Sequence, residues 1–190
     1  MKFSFYKYQG TGNDFVILDN RNGEYSNISP AQVKQICHRR FGVGADGLML
    51  LNLKDGFDFE IVYFNADGNP STMCGNGGRC LVKFAYHLGI HKFTYRFMAI
   101  DGLHEAEIDK RNEIRLKMND VNDVEAHSSY AVLNTGSPHY VKYSNDVAAT
   151  AVVTDGRGIR NSARYASEGI NVNFVEVLDD DSIFVRTYER

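Results

Sequence analysis

Cys80, Leu81, Phe84, Ala85 and Leu88 recur at the spacing of one helix face, and Gly89 follows where a C-terminal cap belongs. This predicts a helix opening just after Cys74. A second helix is predicted from Ser29, with Pro30 at its first position and Gln32 completing a capping box. Val33, Ile36 and Cys37 supply its apolar stripe, and it should end near Phe41-Gly42. Before it, residues 2–8 alternate as a strand, residues 9–15 read as a turn too rich in glycine for regular structure, and residues 15–18 as a second strand. Residues 48–53 and 57–64 follow as strands, then a loop over 65–70. After the central helix, residues 94–100, 103–108 and 113–118 predict a meander with a turn at Asp101-Gly102. Strand–helix–strand followed by a meander, without regular βαβ alternation, indicates an α+β fold.

From about residue 119 to 129 the chain turns polar and acidic, which places a domain boundary between 1–119 and 120–190. Beyond it, residues 131–133 and 140–143 read as strands and Asp155-Gly156-Arg157-Gly158 as a turn. A short helix is expected over 159–167 and a hairpin over 171–178 and 182–188. This second part has no counterpart to the central helix of the first.

Composition narrows the classes. A 43% hydrophobic and 24% charged chain is that of an ordinary globular protein. A net charge of −3 without a basic run argues against a nucleic-acid partner. No apolar stretch could cross a bilayer as a helix, and the N-terminus lacks the pattern of a signal peptide. Three unevenly spaced cysteines form no disulfide framework, so a cytoplasmic protein with free thiols is expected.

The stretch with most chemistry is Met73-Cys74-Gly75-Asn76-Gly77-Gly78-Arg79-Cys80. Cys74 would stand at a helix N-terminus, where unpaired N–H groups and the dipole favour a thiolate. Glycines at 75, 77 and 78 would let a ligand approach the backbone, whose N–H groups could hold a carboxylate or oxyanion. A lone cysteine is more often a small buried hydrophobe, as Cys37 and Cys80 are read here, so the motif by itself leaves both readings open. Gly42-x-Gly44-x-x-Gly47 precedes a strand and is no nucleotide fingerprint.

Seven separated motifs together resemble the diaminopimelate epimerase family: Thr11-Gly12-Asn13-Asp14-Phe15, Gly44-Ala45-Asp46-Gly47, Phe64-Asn65-Ala66-Asp67-Gly68, Met73-Cys74-Gly75-Asn76-Gly77, Pro138-His139, Asn171-Val172-Asn173-Phe174 and Arg186-Thr187-Tyr188-Glu189-Arg190. The resemblance implies two pseudo-symmetric α+β halves, each wrapping strands around a central helix, with the substrate between them and the second half incomplete here. It implies interconversion of LL- and meso-diaminopimelate, for lysine and peptidoglycan precursors, with no cofactor and no metal. The full-length protein would be a homodimer. Two thiols on opposite faces of the α-carbon would exchange its proton, one as base and one as acid. By the same resemblance Cys74 is the first catalytic thiol, and His139 and Glu189 assist catalysis. Asn13, Asn65, Gly75, Asn76, Asn171, Glu189 and Arg190 contact substrate. Asn13 and Asn65 could equally be turn residues, His139 a loop histidine, and Glu189-Arg190 a solvated strand end.

Two departures stand out. Ser137 precedes Pro138-His139 where the family usually has asparagine, which leaves any substrate contact by Ser137 open to a bridging water. The family's second cysteine follows the Glu-Arg pair, and this sequence stops at Arg190. The 190-residue chain therefore reads as truncated before that thiol and is expected to be inactive as an epimerase. Two alternatives remain: a proline or hydroxyproline racemase, whose motif usually reads Cys-Gly-His, and a non-catalytic amino-acid-binding module.

Overall fold

The computed structural model describes residues 3–189. The chain divides into two compact units, Met1–Met118 and Asn119–Arg190. The first holds a seven-stranded sheet in sequence order: β1 (Tyr6–Gly10), β2 (Asn13–Asp19), β3 (Gly47–Asn52), β4 (Phe59–Asn65), β5 (Thr94–Ala99), β6 (Gly102–Ile108) and β7 (Ile114–Leu116). Pairs β2/β3 and β4/β5 are parallel and the others antiparallel. Helix α1 (Pro30–Cys37) bridges β2 to β3, and α2 (Gly75–His87) bridges β4 to β5.

Strand pleating sends alternate residues to opposite faces. Phe15, Ile17, Met49, Leu51, Phe59 and Ile61 pack with the α2 stripe of Cys80, Leu81, Phe84 and Ala85. Val16, Leu18, Leu48 and Leu50 pack with Val33 and Cys37 of α1. Because α2 touches β1 and β2 at one edge and β6 and β7 at the other, the sheet curls around it.

The second sheet runs β12-β11-β10-β9-β8, from β8 (Val124–Ala126), β9 (Tyr130–Asn134), β10 (Pro138–Tyr143), β11 (Asn171–Asp179) and β12 (Ser182–Tyr188). Helix α3 (Val152–Arg160) bridges β10 to its parallel neighbour β11. The run β9-β10-α3-β11-β12 thus repeats β1-β2-α1-β3-β4: antiparallel pair, helical crossover, parallel pair, antiparallel pair. This repeat is the pseudo-symmetry of the fold. Val172 and Phe174 pack with Val152 and Ile159 on the α3 side. Residues of the alternate parity, Val177, Ile183 and Val185, are exposed, and no counterpart of α2 occurs among the described residues of this unit.

Three expectations need correction. Residues 9–15 are mostly strand: Thr11 and Gly12 take positive φ (52° and 85°), the geometry of a two-residue hairpin, so β1 continues through Gly10 and β2 begins at Asn13. Helix α1 stops at Cys37, since His38 turns to extended backbone (φ −67°, ψ 120°). The Asp155–Gly158 stretch lies inside α3 and not in a turn before a helix. Gly156 is needed there because a Cβ would fall 2.4 Å from Tyr188 Cβ, so the helix rests directly on β12. The polar stretch 119–129 carries the short strand β8. The capping box at Ser29 forms as expected, Gln32 N–H donating to Ser29 Oγ (3.3 Å) and Ser29 N–H to Gln32 Oε1 (2.8 Å). No helix among the described residues is long and apolar enough to cross a membrane.

Candidate active site

Asn13 opens β2, and Asn65 closes β4 opposite Gly47 at the start of β3. All three positions have the parity of Phe15, Met49 and Ile61, so they lie on the α2 face at one end of the sheet. The chain leaves β4 through a loop held by Asn65 N–H to Asn69 O (2.9 Å), Ser71 N–H to Tyr63 O (3.0 Å) and Asn69 to Asp67. Gly68 (φ 92°) seats this loop on α1, where a Cβ would come within 2.3 Å of Pro30 O. The loop delivers Cys74 to the same end of the sheet.

Cys74 is the N-cap of α2, with extended backbone and no side-chain cap bond, so the N–H groups of the first turn are left for a ligand. Asn13 Nδ2 donates to Cys74 Sγ at 3.7 Å, and the positive end of the α2 dipole lies at the same point. Cys74 is half-buried, whereas Cys37 and Cys80 are buried. Burial pushes each of those two thiols up to about 11.

Asn76 Oδ1 accepts from Thr11 Oγ1 (3.0 Å) and from Arg79, so what its amide can still offer a ligand is the NH₂. The positive φ of Thr11, costly for a β-branched residue, occurs at this contact with the helix N-terminus. The glycines of the motif have different reasons. A Cβ on Gly75 would meet Met118 Sδ at 3.5 Å and Arg79 Nη1 at 3.7 Å, both ordinary contacts. A Cβ on Gly77 would press on Met49 (3.0 Å), and one on Gly78 on Leu116 and Met73 (3.0 Å), so these two serve core packing and not ligand approach.

Beneath Asn13 is a charged anchor that the sequence reading missed. The Asp14 carboxylate takes Lys7 Nζ (2.7 Å), Arg39 (2.9 Å) and Asp46 N–H (3.1 Å), while Asp46 takes Asp14 N–H (3.1 Å) and Arg39 (2.7 Å). Burial alone raises the Asp14 carboxyl, but the bonds from Arg39 and Lys7 outweigh it and hold the group well below the usual carboxylate range.

In the second unit His139 and Asn171 lie side by side on β10 and β11. Asn171, buried, donates to Ser137 Oγ (3.0 Å). Asn173 Nδ2 donates to His139 Nδ1 (3.0 Å), and Thr187 Oγ1 donates to Asn173 Oδ1 (3.0 Å). That chain holds His139 with its proton on Nε2. Asn173, inside a recognised motif but assigned no role by it, is the residue that orients the imidazole. Glu189 follows β12 and is exposed. Arg190 lies outside the described residues. Among those residues no His, Cys, Asp and Glu side chains gather in threes as a metal cage would require.

A family model described as diaminopimelate epimerase matches residues 5–124. The chain is similar to the diaminopimelate epimerase of Flavobacterium psychrophilum (49% identity, 97% of this chain and 72% of the relative). It is also similar to that of Chlorobaculum tepidum (43% identity, 95% and 73%). Solved structures of like fold include a Bacillus anthracis phenazine biosynthesis protein of the PhzF family (TM-score 0.67, 13% identity, 100% of this chain and 73% of that one). Another is a hydroxyproline epimerase from Agrobacterium vitis with bound trans-4-hydroxy-L-proline (TM-score 0.66, 12% identity, 97% and 69%). At these identities the structural likeness speaks for the fold alone.

Proposed function

We propose, from the premise that this chain belongs to the diaminopimelate epimerase family and is an isomerase, that Cys74 is one of two acid–base thiols inverting the α-carbon of diaminopimelate. The observation that carries the reading is the half-buried Cys74 at an uncapped helix N-terminus with the Asn13 amide on its sulfur. As base, the Cys74 thiolate takes the α-proton and becomes a thiol, leaving the C–H electron pair on the α-carbon. In the reverse direction the thiol returns a proton to the same face. The carbanion delocalises into the adjacent carboxylate, whose growing charge the first-turn N–H groups of α2 and the Asn76 NH₂ are disposed to hold. Asn13, Asn65 and Gly75 complete the contacts proposed in the first unit, and Ser137, His139, Asn171, Glu189 and Arg190 those proposed in the second.

Inversion needs a second acid on the opposite face. Cys37 and Cys80 are buried thiols with raised pKa and do not supply it. A polypeptide of these 190 residues is therefore proposed to exchange the α-proton on one face without epimerising. A small-molecule substrate, a homodimer of the full-length protein and a cytoplasmic setting belong to the same proposal.

Ligand choice tests the substrate class. LL- and meso-diaminopimelate are expected to slow alkylation of Cys74 by iodoacetamide, and proline and trans-4-hydroxyproline are not. Protection by proline in place of diaminopimelate would move the chain to the proline racemase type.

A further inference from the structure

We infer that Tyr63, a residue outside every motif of the resemblance, is a substrate contact of this site whose hydroxyl donates to a carboxylate of the bound amino acid. The inference rests on the reading of Cys74 as the substrate-facing thiol.

Tyr63 lies on β4, two residues before Asn65, with the parity of the α2 face. Its Cα pairs with Met49, but its ring is tipped one pleat further along, over Gly47: a Cβ there would meet Tyr63 Cε2 at 2.4 Å and the hydroxyl at 2.9 Å. Gly47 faces Asn65 on one side and Phe15 on the other, so the ring leans toward the sheet end that carries Asn13, Asn65 and Cys74. Phe15 braces it edge-on at 6.0 Å between ring centroids. Glycine at 47 and tyrosine at 63 are therefore one spatial unit, with the aromatic ring filling the volume a side chain at 47 would take.

The hydroxyl has no hydrogen-bond partner among the described residues. It is not sealed from solvent either, because the only fully buried, unpartnered side-chain polar atom among those residues is His104 Nδ1. Burial pushes the Tyr63 phenol up, and the Cys74 sulfur close by pushes it in the same direction. The group thus stays a neutral O–H whose free hydrogen-bonding capacity faces the site. A carboxylate is the substrate group that such a donor complements.

Protection of Cys74 against iodoacetamide by meso-diaminopimelate, titrated in the parent chain and in Tyr63→Phe, tests this. Tyr63→Phe keeps the ring and its packing. The expected result is protection in both, with the midpoint about ten- to a hundredfold higher in Tyr63→Phe, the range for losing a hydrogen bond to a charged group. The ligand-free alkylation rate and the melting temperature should be unchanged, which a merely structural role would not leave intact. Equal midpoints would overturn the assignment of Tyr63 and leave Cys74 in place. A change in the ligand-free rate or melting temperature matching the loss would assign Tyr63 to the scaffold and also overturn it. Absence of protection in the parent chain would overturn the Cys74 reading and this inference with it.

Discussion

The Asn13–Cys74 contact makes a quantitative prediction. Asn13 donates a single N–H to sulfur at 3.7 Å, a long contact to an acceptor that carries charge in its reactive form. Hydrogen bonds to charged groups contribute about 1.5–3 kcal/mol, and this one belongs at the low end. Replacing Asn13 by alanine should therefore remove a bond to sulfur that contributes about 1.5 kcal/mol when the sulfur is charged. Alkylation feels about half of such a change at sulfur, since its Brønsted slope is about 0.4–0.5. The net expectation is alkylation of Cys74 by iodoacetamide about three- to fourfold slower in Asn13→Ala, followed by mass spectrometry of the labelled peptide. Asn13→Asp, which sets a negative charge in the same place, should be slower still. The backbone of Asn13 is anchored independently by the Asp14–Arg39–Asp46 network, so both variants should keep the β1–β2 hairpin. An Asn13→Ala chain labelled as fast as the parent, with an unchanged melting temperature, would refute the claim that Asn13 tunes the sulfur.

Native labelling near pH 8 should stop at one equivalent, on Cys74, because roughly one in a thousand of the Cys37 and Cys80 thiols is ionised there and both are buried. Three equivalents without denaturant would contradict the packing of both cores. The depressed Asp14 carboxyl contributes stability that is present above the unfolded value of about pH 4 and lost as pH falls below it. Asp14→Asn should thus flatten the acid side of the stability curve, measured by urea unfolding from pH 3 to 7, and an unchanged slope would contradict the ion cluster. Asn173→Ala should release His139 from its Nε2–H tautomer, read from imidazole ¹⁵N shifts, and an unaltered tautomer would show that Asn173 does not hold the ring.

Much of the central geometry was written in the local pattern. The apolar stripe from Cys80 to Leu88 and the Ser29–Gln32 box are short-range signals whose physics is complete within one helix, and a helix forms at each of them. What escaped depended on contacts distant in sequence. Thr11 takes a left-handed turn that its β-branch disfavours, at the point where its hydroxyl reaches Asn76, 65 residues away. Two glycines in Asp155-Gly156-Arg157-Gly158 argue against a helix at about 1 kcal/mol each, and Tyr188 on another element is what demands the first of them. Gly77 and Gly78 looked like room for a ligand and are room for Met49 and Leu116. Tyr63 and Asn173 carry no signature of their own, since a strand tyrosine is usually packing and a strand asparagine usually an edge.

The most direct measurement is α-proton exchange in heavy water. The 190-residue chain is incubated with LL- and meso-diaminopimelate, and deuterium uptake and stereochemistry are followed together by NMR and chiral chromatography. The account predicts slow exchange from one face with retained configuration, abolished in Cys74→Ala. Exchange that survives Cys74→Ala, or full epimerisation by these residues alone, would contradict it.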